Sequence, residues 1–273
     1  MSSDKLPTIP NSAEPDAERS DVGALAEVAA AAVAAHPPQR VPAHQRWLSL
    51  LEVLLCSGYP TQVLLAFILL TVGITAGDER GDIRLDFVLL LSFADAALVV
   101  GLVWAFLRLR GEEPARVLLG GRRFLREALL GLSIVPMLLA IAALLALIVE
   151  RYLPWLHNVP TNPFEALLES VGSAIAFAVV AIVAGGVREE VQRAFVLHRF
   201  EQHLGGAWLG LIIFSLAFGL GHLIQGYDAA LLTGLFGLLW GIVYLRRLSI
   251  VAPVVSHAVF NTVEVILHAV DLA

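Results

Sequence analysis

The chain has 273 residues, of which 58% are apolar and 15% charged, against roughly 45–50% and about 25% in soluble domains; with a mean hydropathy of +0.79 it reads as an integral membrane protein. A net charge of −6 argues against a nucleic-acid partner, and a single cysteine, Cys56, excludes an intrachain disulfide and a cysteine-rich metal site. Residues 1–22 are polar and acidic, without the basic flank and short apolar core of a cleaved signal peptide.

Residues 1–45, rich in Ser, Pro, Ala and acidic side chains, read as a disordered or mobile N-terminal tail, with an alanine run over 24–35 able to form a short helix. Apolar runs recur from Trp47, and a helix needs about 20 residues to cross roughly 30 Å of hydrocarbon. The pattern predicts spans at 48–76 (interrupted at 58–60), 85–107, 127–149, 170–195, 207–224, 229–245 and 249–270. The expected fold is therefore an all-α polytopic bundle of seven spans, or six if the first lies partly in the interface, with any active site inside it. Residues 46–160 supply the N-terminal transmembrane helices and 165–268 a core that carries the polar motifs. Gly234, Gly237 and Gly241 make a small-residue face on which another helix can pack closely.

Of the 18 Lys and Arg residues, only Arg80, Arg84 and Arg151 fall in one set of alternate loops. The others lie in the tail, over 108–126, at Arg188, Arg193 and Arg199, and at Arg246 and Arg247. Short basic loops stay in the cytoplasm. The seven-span reading thus puts the N-terminus in the cytoplasm, with the bacterial inner (cell) membrane as the expected location and the lipid bilayer as an obligate partner.

Three polar clusters interrupt the apolar helices. Glu189 and Glu190 precede Arg193, which lies three or four residues from each and can pair with either. Phe218 and His222 are one turn apart, with Gly219 and Gly221 leaving room beside them. His257 and Asn261 share a helix face that continues through Glu264 and His268. Each cluster alone has a structural explanation, as an interfacial salt bridge, a helix-to-helix hydrogen bond or a polar seam. Together, two carboxylates, two histidines, an asparagine and an arginine on three helices are the inventory for activating a water: a carboxylate as general base, a histidine to share the proton or bind metal, and donors for an oxyanion. That chemistry is hydrolysis of an acyl bond, most simply a peptide. No G-x-S-x-G or H-E-x-x-H signature competes with it.

In this order, on successive membrane helices, the clusters resemble the CPBP family of intramembrane proteases, also called the Abi family, which includes CAAX prenyl endopeptidases and bacteriocin-processing proteins. The resemblance covers roughly 165–268 and implies an intramembrane endopeptidase acting on a membrane-associated or lipid-modified peptide near the cytoplasmic face. It implies Glu189 and His222 as the pair that activates water and His257 and Asn261 as oxyanion donors, with Glu190 the alternative base and Arg193 and Phe218 orienting. Some members are described as metal-dependent; a Zn2+ ion would fall to His222, His257 and Glu189. The family pattern E-E-x-x-x-R is one residue shorter here, "EEVQR". Matching the glutamates keeps Glu189 as base; matching the arginine would put Arg188, which cannot serve as a base, in the place of the first glutamate.

Two other classes of function use the same residues. A proton-coupled transporter would relay through Asp95, Glu189, Glu190, His222, His257 and Glu264, and a non-catalytic scaffold would keep the fold and bind partner helices. The expected spans also carry a conflict. They place Glu189 about 9 Å and His257 about 12 Å from their cytoplasmic helix ends, but His222 about 22 Å deep.

Overall fold

In lipid every backbone N–H and C=O must be satisfied within the chain, so apolar runs of this length fold as helices. The computed structural model describes residues 41–78 and 81–271, and among these the only bridge of β type is a single antiparallel pairing of Gly77 with Ile83. The tail and its alanine run lie outside the described residues except for 41–45, where Ala43 already begins the first helix.

Helices α1 (Ala43–Leu55) and α2 (Tyr59–Thr71) meet at a 45° bend. Gly58 turns the chain there with a φ of 84°, a left-handed conformation that other residues rarely adopt, and Pro60 then starts α2. Next come α3 (Leu85–Leu109), the short α4 (Pro114–Leu119) and α5 (Phe124–Tyr152). The fourth expected span, 170–195, is the first part of one continuous 34-residue helix, α6, Val171–Leu204. Its start is fixed by a reciprocal cap between Ser170 and Ser173, and it widens to π geometry over Ala181–Arg188 and Phe200–Leu204. Helices α7 (Ala207–Leu220), α8 (Tyr227–Arg247) and α9 (Val251–Asp271) complete the bundle.

Five helices, α3, α5, α6, α8 and α9, are long and apolar enough to cross a membrane, or six if the bent pair α1–α2 counts as one span. The remaining expected span is α7, whose 14 residues extend only about 21 Å. All-α polytopic architecture thus holds, with one element too short to cross roughly 30 Å of hydrocarbon on its own.

The basic segments collect at one end of the bundle. Ile250 N–H donates to the Leu118 carbonyl at 2.8 Å and Arg122 Nε to the Arg247 carbonyl at 3.1 Å. Arg199, fully buried, binds Glu52 and Glu112, each at 2.6 Å. At the opposite end the 153–170 segment meets the α7–α8 connection: His157 lies 2.7 Å from Asp228, and Asn162 donates to Gln225 at 3.4 Å. The expected glycine face of α8 packs on α7. A Cβ on Gly219 of α7 would sit 2.6 Å from the Ala230 carbonyl oxygen, so the two backbones touch. Between them, α5 and α9, the side chains of Leu138, Phe236, Trp240 and Phe260 form a buried cluster that backs the polar residues.

Candidate active site

Glu189 and Glu190 lie where the π stretch of α6 ends, and the helix delivers them to different surroundings. Glu190 is 1% exposed. Its carboxylate accepts from Arg193 and from Nδ1 of His257, the latter at 2.9 Å. Arg193 is wholly buried and lies over the rings of Phe218, Phe214 and Trp240, with its guanidinium carbon 4.9, 5.4 and 5.6 Å from their centroids. Those ring faces take the place of the hydrogen bonds that its Nε and second terminal nitrogen lack. Trp240 also stacks on His257 at 3.7 Å and anchors itself by donating Nε1–H to Ser256 at 3.0 Å. The arginine expected to orient the base therefore holds the other glutamate.

Glu189 faces a cavity of about 470 Å³ enclosed by α2, α3, α6 and α7. His222, Phe218, Gln192, Arg188 and Asp95 line the same space. His222 donates Nδ1–H to the Phe218 carbonyl at 2.9 Å, which leaves Nε2 as its acceptor. Phe218 packs edge-on against it at 5.0 Å. Arg188 forms an ion pair with Asp95 at 2.5 Å and stands 4.0 Å from Glu189. The cavity extends to Ala76, Ile83, Phe164 and Gln225, so it reaches the end of the bundle opposite the basic one, not the end read as cytoplasmic.

His257 and Asn261 stand behind Glu189 and do not line the cavity. His257 Nε2 is 3.8 Å from Glu189, and the Asn261 amide donates weakly, at 3.4 Å, to the Ala181 carbonyl. That approach needs Gly185, since a Cβ there would lie 2.5 Å from the Asn261 amide nitrogen. The rest of the polar stripe leaves the site: His268 pairs with Glu165 at 3.1 Å, and Glu264 is exposed. The six-residue relay of the transporter reading is thus not continuous through Glu264.

The depth conflict resolves through the length of α6. From Glu189 to Leu204 and from Ala207 to His222 are fifteen residues each, about 22 Å in both cases. The Gly205–Gly206 turn, with φ of 104° and 101°, folds the two arms antiparallel and brings their far ends level. The polar residues after 195 are held inside the fold by Ser49, Glu52 and Glu112.

The donors for zinc do not converge. Among the described residues no group of three His, Cys, Asp or Glu is placed to hold a metal ion. His257 gives Nδ1 to Glu190 and His222 gives Nδ1 to the backbone, so each would offer an ion only its Nε2. The sequence named Asp95 as a site residue only in the transporter relay and Arg188 only in the alternative alignment, and it missed Gln192 and Trp240, since a glutamine and a tryptophan in an apolar run carry no pattern of their own.

No curated protein and no solved structure matches the chain. Residues 171–263 match the family model described as type II CAAX prenyl endopeptidase Rce1-like. The matched segment contains Glu189, Glu190, Arg193, Phe218, His222, His257 and Asn261, the residues that the fold gathers around the cavity and behind it. Over this segment the chain is similar to the type II CAAX prenyl endopeptidases.

Proposed function

We propose that the protein hydrolyses a peptide bond of a membrane-associated or lipid-modified peptide inside the bundle, with Glu189 as general base and without a resident metal. The observation that carries this reading is the cavity that Glu189 and His222 line together. Glu189 takes a proton from a water held against His222 Nε2; the resulting hydroxide attacks the carbonyl carbon, and Glu189 returns the proton to the leaving amine as the C–N bond breaks. The developing oxyanion meets the side-chain amide of Gln192, which lines the cavity one turn from Glu189. His257, Glu190 and Arg193 form the buried support that fixes the helix face. In this reading 165–268 is the catalytic core, the N-terminus is cytoplasmic and the bilayer is that of the bacterial cell membrane.

The test is cleavage by purified protein in detergent of a reporter ending in a prenylated cysteine and three further residues, beside the unmodified peptide. Wild type is expected to cut, and Glu189→Gln and His222→Ala to lose about 10²- to 10⁴-fold in kcat. A chelator is expected to leave the rate unchanged. Full activity in Glu189→Gln overturns the base assignment, and loss to chelator with recovery on adding Zn2+ overturns the metal-free mechanism.

A further inference from the structure

The matched family segment begins at residue 171, yet one wall of the cavity comes from α2 and α3, which precede it. Asp95 of α3 is 3% exposed and reaches Arg188 at 2.5 Å. A carboxylate at such a position is held by more than its counter-ion. Thr61 donates its hydroxyl to one oxygen at 2.5 Å, and Gln62 its amide to the other at 3.3 Å. Both come from the first turn of α2, which the bend at Gly58 aims at the cavity.

Gly58 has a second role beside its turn. A Cβ built on it would lie 2.1 Å from the Arg188 guanidinium, so the absent side chain is the space that the guanidinium occupies. Arg188 is thereby fixed on one side by Asp95 and on the other by the backbone of the α1–α2 bend. Its contact with Asp95 is an ion pair off the N–H axis, and its Nε has no hydrogen-bond partner. Buried donors left unmatched in this way cost stability, so packing alone gives no reason for an arginine here. The nearest functional group is Glu189, whose carboxylate stands 4.0 Å from the same guanidinium while Arg193 is committed to Glu190.

We propose that Asp95 and Arg188, seated by Gly58, Thr61 and Gln62, are positioning residues that hold the Glu189 carboxylate toward His222. The inference rests on the proposed role of Glu189 and adds the N-terminal helices to the machinery. Arg188 acts through Glu189 and needs no contact with substrate.

The experiment compares kcat and KM of the full chain in detergent for wild type, Asp95→Asn, Thr61→Val, Gly58→Ala and Glu189→Gln, with melting measured on every sample. Asp95→Asn is expected to lower kcat about 10- to 100-fold with KM within about twofold, as a displaced catalytic group does. Thr61→Val removes one hydroxyl and keeps the shape; a smaller kcat loss of the same kind is expected. Gly58→Ala changes no charge and displaces the guanidinium, so its kcat loss separates placement from electrostatics. Lower melting in Asp95→Asn and Thr61→Val with wild-type kcat per folded molecule would make the pair merely structural and overturn the proposal. An inactive Glu189→Gln beside a fully active Asp95→Asn overturns the positioning role alone. A fully active Glu189→Gln overturns the base assignment and this inference with it.

Discussion

Adjacent residues on a helix point about 100° apart, and at Glu189 and Glu190 that angle separates chemistry from support. Glu189 looks into the cavity, whereas Glu190 is enclosed with Arg193 and His257. Their amide variants should therefore fail in different ways. Glu189→Gln is expected to fold and melt as wild type does and to lose turnover. Glu190→Gln removes the counter-ion bonded to a wholly buried arginine, a loss of about 3–5 kcal/mol for a broken buried pair, so a lower melting temperature and poor recovery from the membrane are expected. Thermal unfolding by scanning fluorimetry, read beside kcat, distinguishes them; equal stability of the two variants would mean that Arg193 finds another partner. The sequence made both glutamates visible through the oddity of carboxylates in an oily helix. It could not say which one faced the cavity, because the π stretch over Ala181–Arg188 rotates the following residues by an amount that apolar periodicity does not record. Trp240 shows the same limit. It reads as one more apolar residue of α8, yet it stacks on His257 and bounds the Arg193 cage.

The hairpin of α6 and α7 is the element that makes the site, since its two equal arms bring Glu189 level with His222. Its packing on α8 depends on small residues. Gly219→Ala would place a methyl 2.6 Å from a backbone oxygen of α8, where no side chain can swing aside. A cost of about 1–3 kcal/mol is expected for such overpacking, with lower melting and reduced kcat as His222 is displaced. The base of the hairpin is braced by ionic groups that contain Glu112, in the loop after α3. Burial pushes this carboxyl up, but hydrogen bonds from Gln202, Arg199 and His198 outweigh it and hold it below the ordinary value of 4.5. A depressed folded value means that this contribution is present above about pH 4.5 and disappears as the pH falls through the lowered one. Melting in detergent should accordingly decline on the acid side for wild type, and Glu112→Gln should flatten part of that decline while lowering stability at neutral pH. Helix positions were legible from apolar runs, and α3, α5, α8 and α9 lie within a few residues of them. The length of α6 was not, because the segment from His198 to Leu204 is polar and its partners Glu52 and Glu112 lie far away in sequence.

At the scale of the whole molecule, charge and cavity point to opposite ends. The basic segments gather around the α3–α4 loop, the α6–α7 turn and the α8–α9 turn, which the positive-inside tendency places in the cytoplasm. The cavity reaches the other end, through Ala76, Ile83, Phe164 and Gln225. Sequence could count charges by loop, but which end the site opens toward depends on where α2 and α3 close it, a tertiary fact. Orientation therefore decides from which side a peptide reaches Glu189. Labelling of single introduced thiols with a membrane-impermeant maleimide measures it, because the one native thiol, Cys56, is fully buried. Arg122 and Asp82 are exposed and lie at opposite ends. With the basic end in the cytoplasm, Asp82→Cys should be labelled in intact cells and Arg122→Cys only after permeabilisation. The substrate would then have to enter from the outer face or sideways from lipid. The reverse pattern would place the cavity mouth in the cytoplasm and the basic end outside. A 14-residue helix such as α7 can complete a crossing only where the bilayer is thinned or where it is shielded by α6 and α8.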